Sequence, residues 1–269
     1  TRMDKNYSLY EEINFKQWLE NHKLEDGFEE AIQNHRFEIW YQPKYSTKDQ
    51  NVVSAEALVR WRDVDGNLIP PYKFIPLFEQ NGMISVLDEY VFDAVCAQQR
   101  QWQSEGKHVL PVSVNISRSS LYYSTIVKKY AAILNSYELP AQNIQLEITE
   151  SAAVDNSEIM TLIDQFHEIG FHLLLDDFGT GYSSLSTLNQ MHFDTLKLDK
   201  SLIDHIGDTN GEKLLYYIIK LAQSLELKIT AEGVEYKNQF EFLQQLACDD
   251  IQGYYFSKPL PSAEYAALL

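Results

Sequence analysis

The sequence contains few cysteines and no arrangement of them that would bind zinc. Cys96 and Cys248 are the two cysteines among 269 residues, and neither belongs to a CxxC pair. Zinc sites and disulfide frameworks need closely spaced or numerous cysteines, so isolated ones are typical of buried free thiols. We therefore expect two buried thiols and no structural zinc site.

Long apolar runs are also missing. No segment approaches the roughly 20 consecutive apolar residues that a helix needs to cross a bilayer. The N-terminus shows neither the apolar core nor the small-residue cleavage site of a signal peptide. These absences predict a cytoplasmic segment without membrane contact. The chain begins at Thr1 rather than Met, so we expect a fragment of a longer protein, which other segments could anchor to a membrane.

Basic side chains are scarce relative to acidic ones. The chain has 22 Lys and Arg against 39 Asp and Glu, which gives a formal net charge of −17. This charge argues against binding of duplex nucleic acid, which depends on contacts from Lys and Arg to phosphates. A small phosphorylated ligand stays compatible with it, because divalent metal ions can lie between carboxylates and a phosphodiester.

The order of apolar patterns indicates one α/β domain behind an N-terminal helical segment. Residues 1 to about 34 show helical spacing and no strand pattern. We interpret 1–26 as a helical linker or the tail of an upstream domain, and 27–269 as a parallel α/β barrel. Its eight strand candidates are Phe37–Tyr45, Val52–Arg60, Val109–Asn115, Ile144–Thr149, Phe171–Asp176, Thr195–Asp199, Lys228–Glu232 and Asp250–Tyr254.

The first two strand candidates break the parallel pattern. The short polar stretch Ser46–Asn51 separates them, whereas a crossover between parallel strands needs about a dozen residues or more. We therefore predict an antiparallel hairpin within the barrel.

Polar side chains recur on one face of seven strand candidates, toward their C-terminal ends. Successive side chains of a strand alternate between its two faces, so residues of one parity point into a barrel. Active sites of α/β barrels lie at this end. A single polar group there is often a core residue whose hydrogen bonds are satisfied. Seven polar groups of the same parity favour a functional site. The residues are Glu56, Asn115, Glu147, Asp176, Lys197, Glu232 and Gln252.

The types of side chain indicate chemistry with divalent metal ions. Adjacent Asp176 and Asp177 could hold two ions, an arrangement that supports in-line attack on a phosphodiester. Lys197 would oppose phosphoryl charge or orient the attacking water, and Glu232 could act as a base or an outer ligand. Hard oxygen ligands suited to Mg²⁺ or Mn²⁺ are present in Glu56, Asn115, Glu147, Asp176 and Asp177.

An ordered set of motifs resembles the EAL-domain family. The run Glu56-Ala57-Leu58-Val59-Arg60-Trp61 matches the signature after which these domains are named. The resemblance covers roughly residues 27 to 269. Further matches are Tyr41-Gln42-Pro43, Ser113–Ser117, Leu146–Ser151, Asp176–Ser184, Lys197–Asp199, Ala231–Glu235 and Gln252–Tyr254.

The resemblance implies a modified TIM barrel with one antiparallel strand. It also implies a phosphodiesterase that hydrolyses cyclic di-GMP to linear pGpG with two divalent metal ions, Mg²⁺ or Mn²⁺. By motif position, the ligands of the first ion are Glu56, Asn115, Glu147 and Asp176, and those of the second are Asp176 and Asp177.

Other roles carry over by motif position. Lys197 and Glu232 match residues assigned to water activation and charge stabilisation, and with Glu56 they form the expected catalytic group. The expected contacts to the dinucleotide are Gln42, Arg60, Asp199 and Gln252.

The resemblance also implies partners. Glu150 matches a residue that anchors the loop Asp177–Ser184, which in the family couples the site to a dimer interface, so a homodimer is expected. The N-terminal tail resembles a junction with an upstream GGDEF-type or sensory domain.

Two alternatives stay open. A non-catalytic cyclic di-GMP receptor would bind the ligand but has no need to keep Asp177, Lys197 and Glu232 together. A barrel glycosidase that uses two carboxylates would explain Glu147 and Glu232 but not Asn115, the adjacent aspartates or Lys197.

Overall fold

The structure is a computed structural model that describes residues 2–153, 157–180 and 192–269. The chain forms two compact units, one of Thr1–Glu38 with Val59–Ile84 and one of Ile39–Leu58 with Ser85–Leu269. The strands are β1 Phe37–Ser46, β2 Val52–Arg62, β3 Leu68–Ile69, β4 Val112–Asn115, β5 Ile144–Thr149, β6 His172–Phe178, β7 Thr195–Leu198, β8 Lys228–Ala231, β9 Asp250–Ile251 and β10 Leu260–Pro261.

The helices lie between these strands and before the first of them. Short 3₁₀ helices at Ala141–Asn143 and Ala266–Leu268 complete the described elements. The α-helices are α1 Arg2–Gln33, α2 Pro71–Asn81, α3 Ile84–Ser104, α4 Arg118–Leu121, α5 Ile126–Ser136, α6 Glu150–Ala153, α7 Ser157–Ile169, α8 Lys200–Ile203, α9 Thr209–Ser224, α10 Lys237–Gln245 and α11 Ser262–Tyr265.

The larger unit contains the barrel. Strands β2, β4, β5, β6, β7, β8 and β9 are parallel neighbours in that order. Strand β1 closes the barrel because it pairs with β2 and, in antiparallel register, with β9, where Tyr45 faces Ile251. The backbone N–H of Ser46 donates to the carbonyl of Asn51 (2.9 Å), which closes the hairpin between β1 and β2. The predicted modified TIM barrel with one antiparallel strand is therefore confirmed.

Alternation along the parallel strands separates an apolar outer face from a polar interior. In β5, Leu146 and Ile148 are fully buried, and Leu173 and Leu175 take the same parity in β6. Parallel sheets are buried on both faces because helices cover the outside. Burial of each such side chain contributes about 1.5–3 kcal/mol relative to exposure. The opposite parity is thereby left to face the barrel interior.

The smaller unit is held by aromatic packing. Ring centroids are 4.8 Å apart for Phe28 and Phe78, 4.9 Å for Phe37 and Trp61, and 5.5 Å for Trp61 and Phe74. All five side chains are buried, and such pairs contribute about 0.5–1.5 kcal/mol each beyond burial alone. This cluster joins helices α1 and α2 to the strand residues of the unit.

The N-terminal segment is helical, as its apolar spacing predicts. Helix α1 runs without a break from Arg2 to Gln33, so the boundary proposed at residue 26 falls inside one helix and stays a prediction. Phe15 and Trp18 are exposed on it, whereas Phe28 is buried. None of the helices in the described residues has both the length and the apolar character of a membrane span. Cys96 and Cys248 are buried free thiols, as predicted.

Candidate active site

The polar side chains that were predicted to share one strand face come together inside the barrel of the larger unit. The pairing register places Ser113 beside Gln145 and Asn115 beside Glu147. Glu56 from β2, Glu147 from β5, Asp176 from β6 and Lys197 from β7 are all buried. Glu232 follows β8 and Gln252 follows β9, so both enter the same space from the ends of their strands.

Lys197 lies at the centre of this cluster. Its side chain is 1% exposed, and its Nζ atom contacts four carboxylates, at 2.6 Å from Glu147 Oε2, 2.9 Å from Asp176 Oδ1, 2.5 Å from Glu232 Oε1 and 3.7 Å from Glu56 Oε2. Burial acts to lower the pKa of Lys197, but the four carboxylates outweigh it and raise that pKa well above its ordinary value. Lys197 is therefore a permanent cation of the site.

A second buried lysine was not predicted. Lys44 Nζ donates to Glu147 Oε1 (2.8 Å) and to Ser113 Oγ (2.9 Å), and its side chain is 1% exposed. The predicted inward-facing polar side chains begin on β2, whereas Lys44 lies on antiparallel β1. The signal was present, because Lys44 has the same parity as Gln42, which was predicted to bind substrate.

Burial and neighbouring charges shift the pKa values of the carboxylates in different directions. Burial raises the pKa values of Glu56, Asp176, Asp177 and Glu232 above the ordinary range. Burial acts on Glu147 in the same direction, but Lys197 and Lys44 outweigh it and lower its pKa. Glu147 is therefore the firmly ionised carboxylate. In the other four, burial disfavours the ionised form.

Amide side chains occupy both oxygens of Glu56. Asn115 Nδ2 donates to Glu56 Oε1 (3.0 Å), and Gln252 Nε2 donates to Glu56 Oε2 (2.7 Å) and to Gln42 Oε1 (3.1 Å). Gly253 permits this placement, because a Cβ atom there would lie 2.1 Å from the carbonyl oxygen of Val234. The predicted substrate contacts Gln42 and Gln252 thus lie beside a predicted metal ligand.

The aspartate pair lies where β6 loses regular register. The pairing with β7 shifts between Leu175 and Phe178, and Asp177 has a left-handed φ of 57°. Such irregularities re-aim side chains and are frequent beside active sites. The backbone N–H of Asp177 donates to Asp176 Oδ1 (2.8 Å). The two carboxylates can therefore lie on the same side of the strand end.

The predicted loop anchor contacts the described start of its loop. The N–H of Gly179 donates to Glu150 Oε2 (3.4 Å), and Glu150 is buried at the first position of α6. Gly179 has a φ of 105°, which a residue with a Cβ atom rarely adopts. Residues 181–184 of the predicted loop lie outside the described residues.

The other two predicted substrate contacts are Asp199 and Arg60. Asp199 caps helix α8 by accepting from the N–H of Ser201 (2.9 Å), and its charge acts on Asp177. Arg60 belongs to the smaller unit, where its Nη1 donates to the carbonyl of Val59 (2.8 Å).

The donor set fits divalent cations in type and in charge. Within the described ranges, no three His, Cys, Asp or Glu side chains are arranged to hold an ion, and lysine ammonium groups lie among the carboxylates. The ligands are nevertheless hard oxygens, which Mg²⁺ and Mn²⁺ prefer. Two lysines face five carboxylates, which leaves an excess of negative charge that cations would balance: Glu56, Glu147, Asp176, Asp177 and Glu232.

A cavity of about 600 Å³ lies at the opposite end of the strands. Its lining includes Lys228 and Asp250, whose Nζ and Oδ2 atoms are 2.9 Å apart, together with Thr47 and Gln244. Lys228 and Asp250 begin β8 and β9, and Thr47 follows the antiparallel strand β1, so the cavity is separate from the carboxylate cluster. Its ion pair joins the buried carboxylate of Asp250 to a half-exposed lysine, Lys228.

Comparison with known proteins identifies the family. The model of the EAL domain matches residues 25–259. The signaling protein YkoW of Bacillus subtilis is 38% identical over 88% of this chain and 30% of its own length, and the cyclic di-GMP phosphodiesterase NbdA of Pseudomonas aeruginosa is 39% identical over 90% and 31%. The chain thus spans about a third of these relatives.

A solved structure agrees with this assignment. The PaMucR phosphodiesterase in complex with c-di-GMP superimposes with a TM-score of 0.85 at 32% identity, over 90% of this chain and 99% of that one. The family match covers most of the chain, and the structural match covers 90% of it. The chain is a member of the EAL domain family.

Proposed function

We propose that this chain is a phosphodiesterase that hydrolyses cyclic di-GMP to linear pGpG with divalent metal ions. The proposal is carried by the position of Lys197, whose ammonium group is buried among four carboxylates. Burial of so many ionisable groups opposes folding unless other interactions compensate, and such clusters are typical of catalytic sites. The names of NbdA and of the PaMucR complex support cyclic di-GMP as the substrate.

Oxygen ligands on neighbouring strands would hold two divalent ions, Mg²⁺ or Mn²⁺. When bound, such ions lower the pKa of water and neutralise charge on the phosphoryl group. Asn115 Nδ2 orients Glu56, and strand register places Asn115 beside Glu147. The side chains assigned to the ions are Glu56, Asn115, Glu147, Asp176 and Asp177.

Glu232 has the properties of the group that accepts the proton of the attacking water. Its side chain is 21% exposed, more than those of the other carboxylates around Lys197. Burial raises its pKa above the ordinary carboxyl value, and a general base works best when its pKa approaches the operating pH. Lys197, held beside Glu232, supplies a positive charge for the phosphoryl oxygens.

Substrate binding falls to polar groups around this cluster. Gln42 and Gln252 are hydrogen-bonded to each other beside Glu56, and we assign both amides to contacts with a phosphate or a base of the substrate. Arg60 and Asp199 complete the proposed contacts. We further propose a homodimer in which Glu150, through Gly179, transmits assembly to Asp177.

The glycosidase alternative fits the geometry less well. Both oxygens of Glu147 accept hydrogen bonds from lysines, and its pKa is lowered by these lysines against the effect of burial. A glycosidase needs one carboxylic acid that donates a proton and one free carboxylate that acts as a nucleophile or base. Glu147 has neither property.

Chromatography of cyclic di-GMP incubated with the chain tests the proposal. Linear pGpG should form with Mn²⁺ or Mg²⁺ and not in excess chelator. Glu56→Ala should abolish hydrolysis while circular dichroism stays as in wild type. Lys228→Met, which breaks an ion pair at the other end of the strands, should hydrolyse normally.

Two results would contradict the proposal. Undiminished hydrolysis in excess chelator would refute the metal dependence. Binding of cyclic di-GMP without cleavage, whichever metal is supplied, would favour the receptor alternative.

A further inference from the structure

One buried carboxylate is shared by two ammonium groups. Lys44 Nζ contacts Glu147 Oε1 at 2.8 Å, and Lys197 Nζ contacts Glu147 Oε2 at 2.6 Å. The three side chains are at most 1% exposed. Bulk solvent therefore does not compete for Glu147, and each of its oxygens has a cationic partner of its own.

The two lysines differ in their surroundings. Lys197 contacts four carboxylates, so it could exchange partners when charges in the site rearrange. Lys44 contacts one carboxylate and the hydroxyl of Ser113, which itself donates to the carbonyl of Ala55 (3.3 Å). Ser113 precedes Asn115 by one inward position on β4, so Lys44 lies one layer deeper in the barrel. Lys44 is therefore the fixed cation of the pair.

A fixed cation beside a metal ligand has two opposite effects. It orients the carboxylate, and it repels a divalent ion that shares that carboxylate. Orientation of Glu147 does not depend on Lys44 alone, because Lys197 holds the other oxygen and the side chain is buried on β5. Removal of Lys44 therefore leaves Glu147 oriented by Lys197 and its buried position. The main consequence of the removal is the loss of repulsion toward a divalent ion.

We propose that Lys44 is a positioning residue that acts as a resident counter-ion of Glu147 and thereby weakens the affinity of the site for divalent cations. The inference rests on the proposed metal-dependent function. Lys44 neutralises part of the negative charge of the carboxylates, which a bound divalent cation would otherwise neutralise. Occupancy by metal then depends on the cation concentration around the protein, while Glu147 stays ionised and oriented when metal is absent.

The affinity of the chelator-treated chain for Mn²⁺, measured by titration calorimetry, tests this inference. Lys44→Met removes the charge and keeps an unbranched chain, and Lys44→Gln keeps a hydrogen-bond donor for Glu147 without the charge. Both variants should bind Mn²⁺ about tenfold more tightly, the order expected when one unit charge is removed near the ion. If Lys44→Met fails to fold, Lys44→Gln decides the matter.

Lys228→Met is the matched control. Lys228 also pairs with a buried carboxylate, that of Asp250, but at the opposite end of the strands. Lys228 is 45% exposed, so this variant controls for the loss of a lysine partner away from the site, and its affinity for Mn²⁺ should equal that of wild type.

The outcomes separate the inference from the proposed function. Wild type that binds Mn²⁺ and cleaves cyclic di-GMP, with Lys44 variants that bind equally or more weakly, would overturn the inference alone. Absence of Mn²⁺ binding in wild type and variants would overturn both. Tighter binding in both Lys44 variants and in Lys228→Met would overturn the inference too, because the effect would not be local.

Discussion

Replacement of Lys197 by Met tests how the carboxylate cluster is stabilised. Methionine keeps an unbranched apolar chain but removes the ammonium group that contacts four carboxylates. Among the described residues, Glu147 would keep Lys44 as a partner. Glu56, Asp176 and Glu232 would lose their cationic contact. Removal of one partner from a buried ion pair costs about 3–5 kcal/mol, and we expect that loss of unfolding free energy at pH 8 without metal.

The loss should shrink as the pH falls. Burial raises the pKa values of Glu56, Asp176 and Glu232, and Lys197 acts to lower each of them. Removal of Lys197 therefore raises these values further. A carboxyl group whose folded-state pKa exceeds its unfolded-state value binds more protons when folded, so the free energy of unfolding decreases as the pH rises through that interval. Acidic pH protonates the unpaired carboxylates and restores stability to the variant.

Urea denaturation in the presence of chelator, at pH 8 and pH 5.5, measures both effects. The difference between wild type and Lys197→Met should fall to less than about half of its pH 8 value at pH 5.5. Lys228→Met removes the partner of a single buried carboxylate and should show a smaller pH dependence. An equal deficit at both pH values, or a variant as stable as wild type at pH 8, would refute the reasoning.

Three further predictions address the second ion, the loop and the substrate edge. Asp177→Asn keeps the shape but weakens an oxygen ligand. Calorimetry should show cyclic di-GMP binding within about tenfold of wild type, while a product assay shows hydrolysis reduced by several orders of magnitude; hydrolysis at the wild-type rate would contradict the ligand assignment. Glu150→Ala removes the acceptor of the Gly179 N–H and should lower specific activity across a dilution series, and equal activity at all dilutions would count against coupling. Gly253→Ala places a methyl group 2.1 Å from the carbonyl oxygen of Val234. It should lower the unfolding free energy by about 1–3 kcal/mol, measured by thermal unfolding, and an unchanged melting temperature would show that the backbone yields.

Features with a strict geometric cause were predictable from the sequence. The short stretch between the first two strands requires a hairpin, and the structure has it. Alternation along parallel strands brought Glu56, Glu147 and Lys197 together, because their side chains enter one interior from strands of the same direction. The two-residue strands Leu68–Ile69 and Leu260–Pro261 were missed, since so short a segment has no periodicity to detect.

Partner choice inside the cluster was not predictable. Alternation along a strand predicts that a side chain points inward, but it does not predict which oxygen atom that side chain contacts. Lys44 was missed for this reason and because β1 runs against the other strands. The left-handed backbone at Asp177 also leaves no sequence signal of its own, since aspartate adopts ordinary conformations far more often.

The reversed direction of β1 has a consequence for protein engineering. In a barrel of parallel strands, the turns that follow the strands surround the site, so insertions there disturb it. The turn that follows β1 instead lies at the opposite end, and Lys48, Asp49, Gln50 and Asn51 are exposed in it. Exposed polar turns tolerate insertion well. A fluorescent reporter or affinity tag inserted between Asp49 and Gln50 would therefore be attached directly to the strand that carries Gln42 and Lys44, at the end of the barrel opposite the carboxylate cluster.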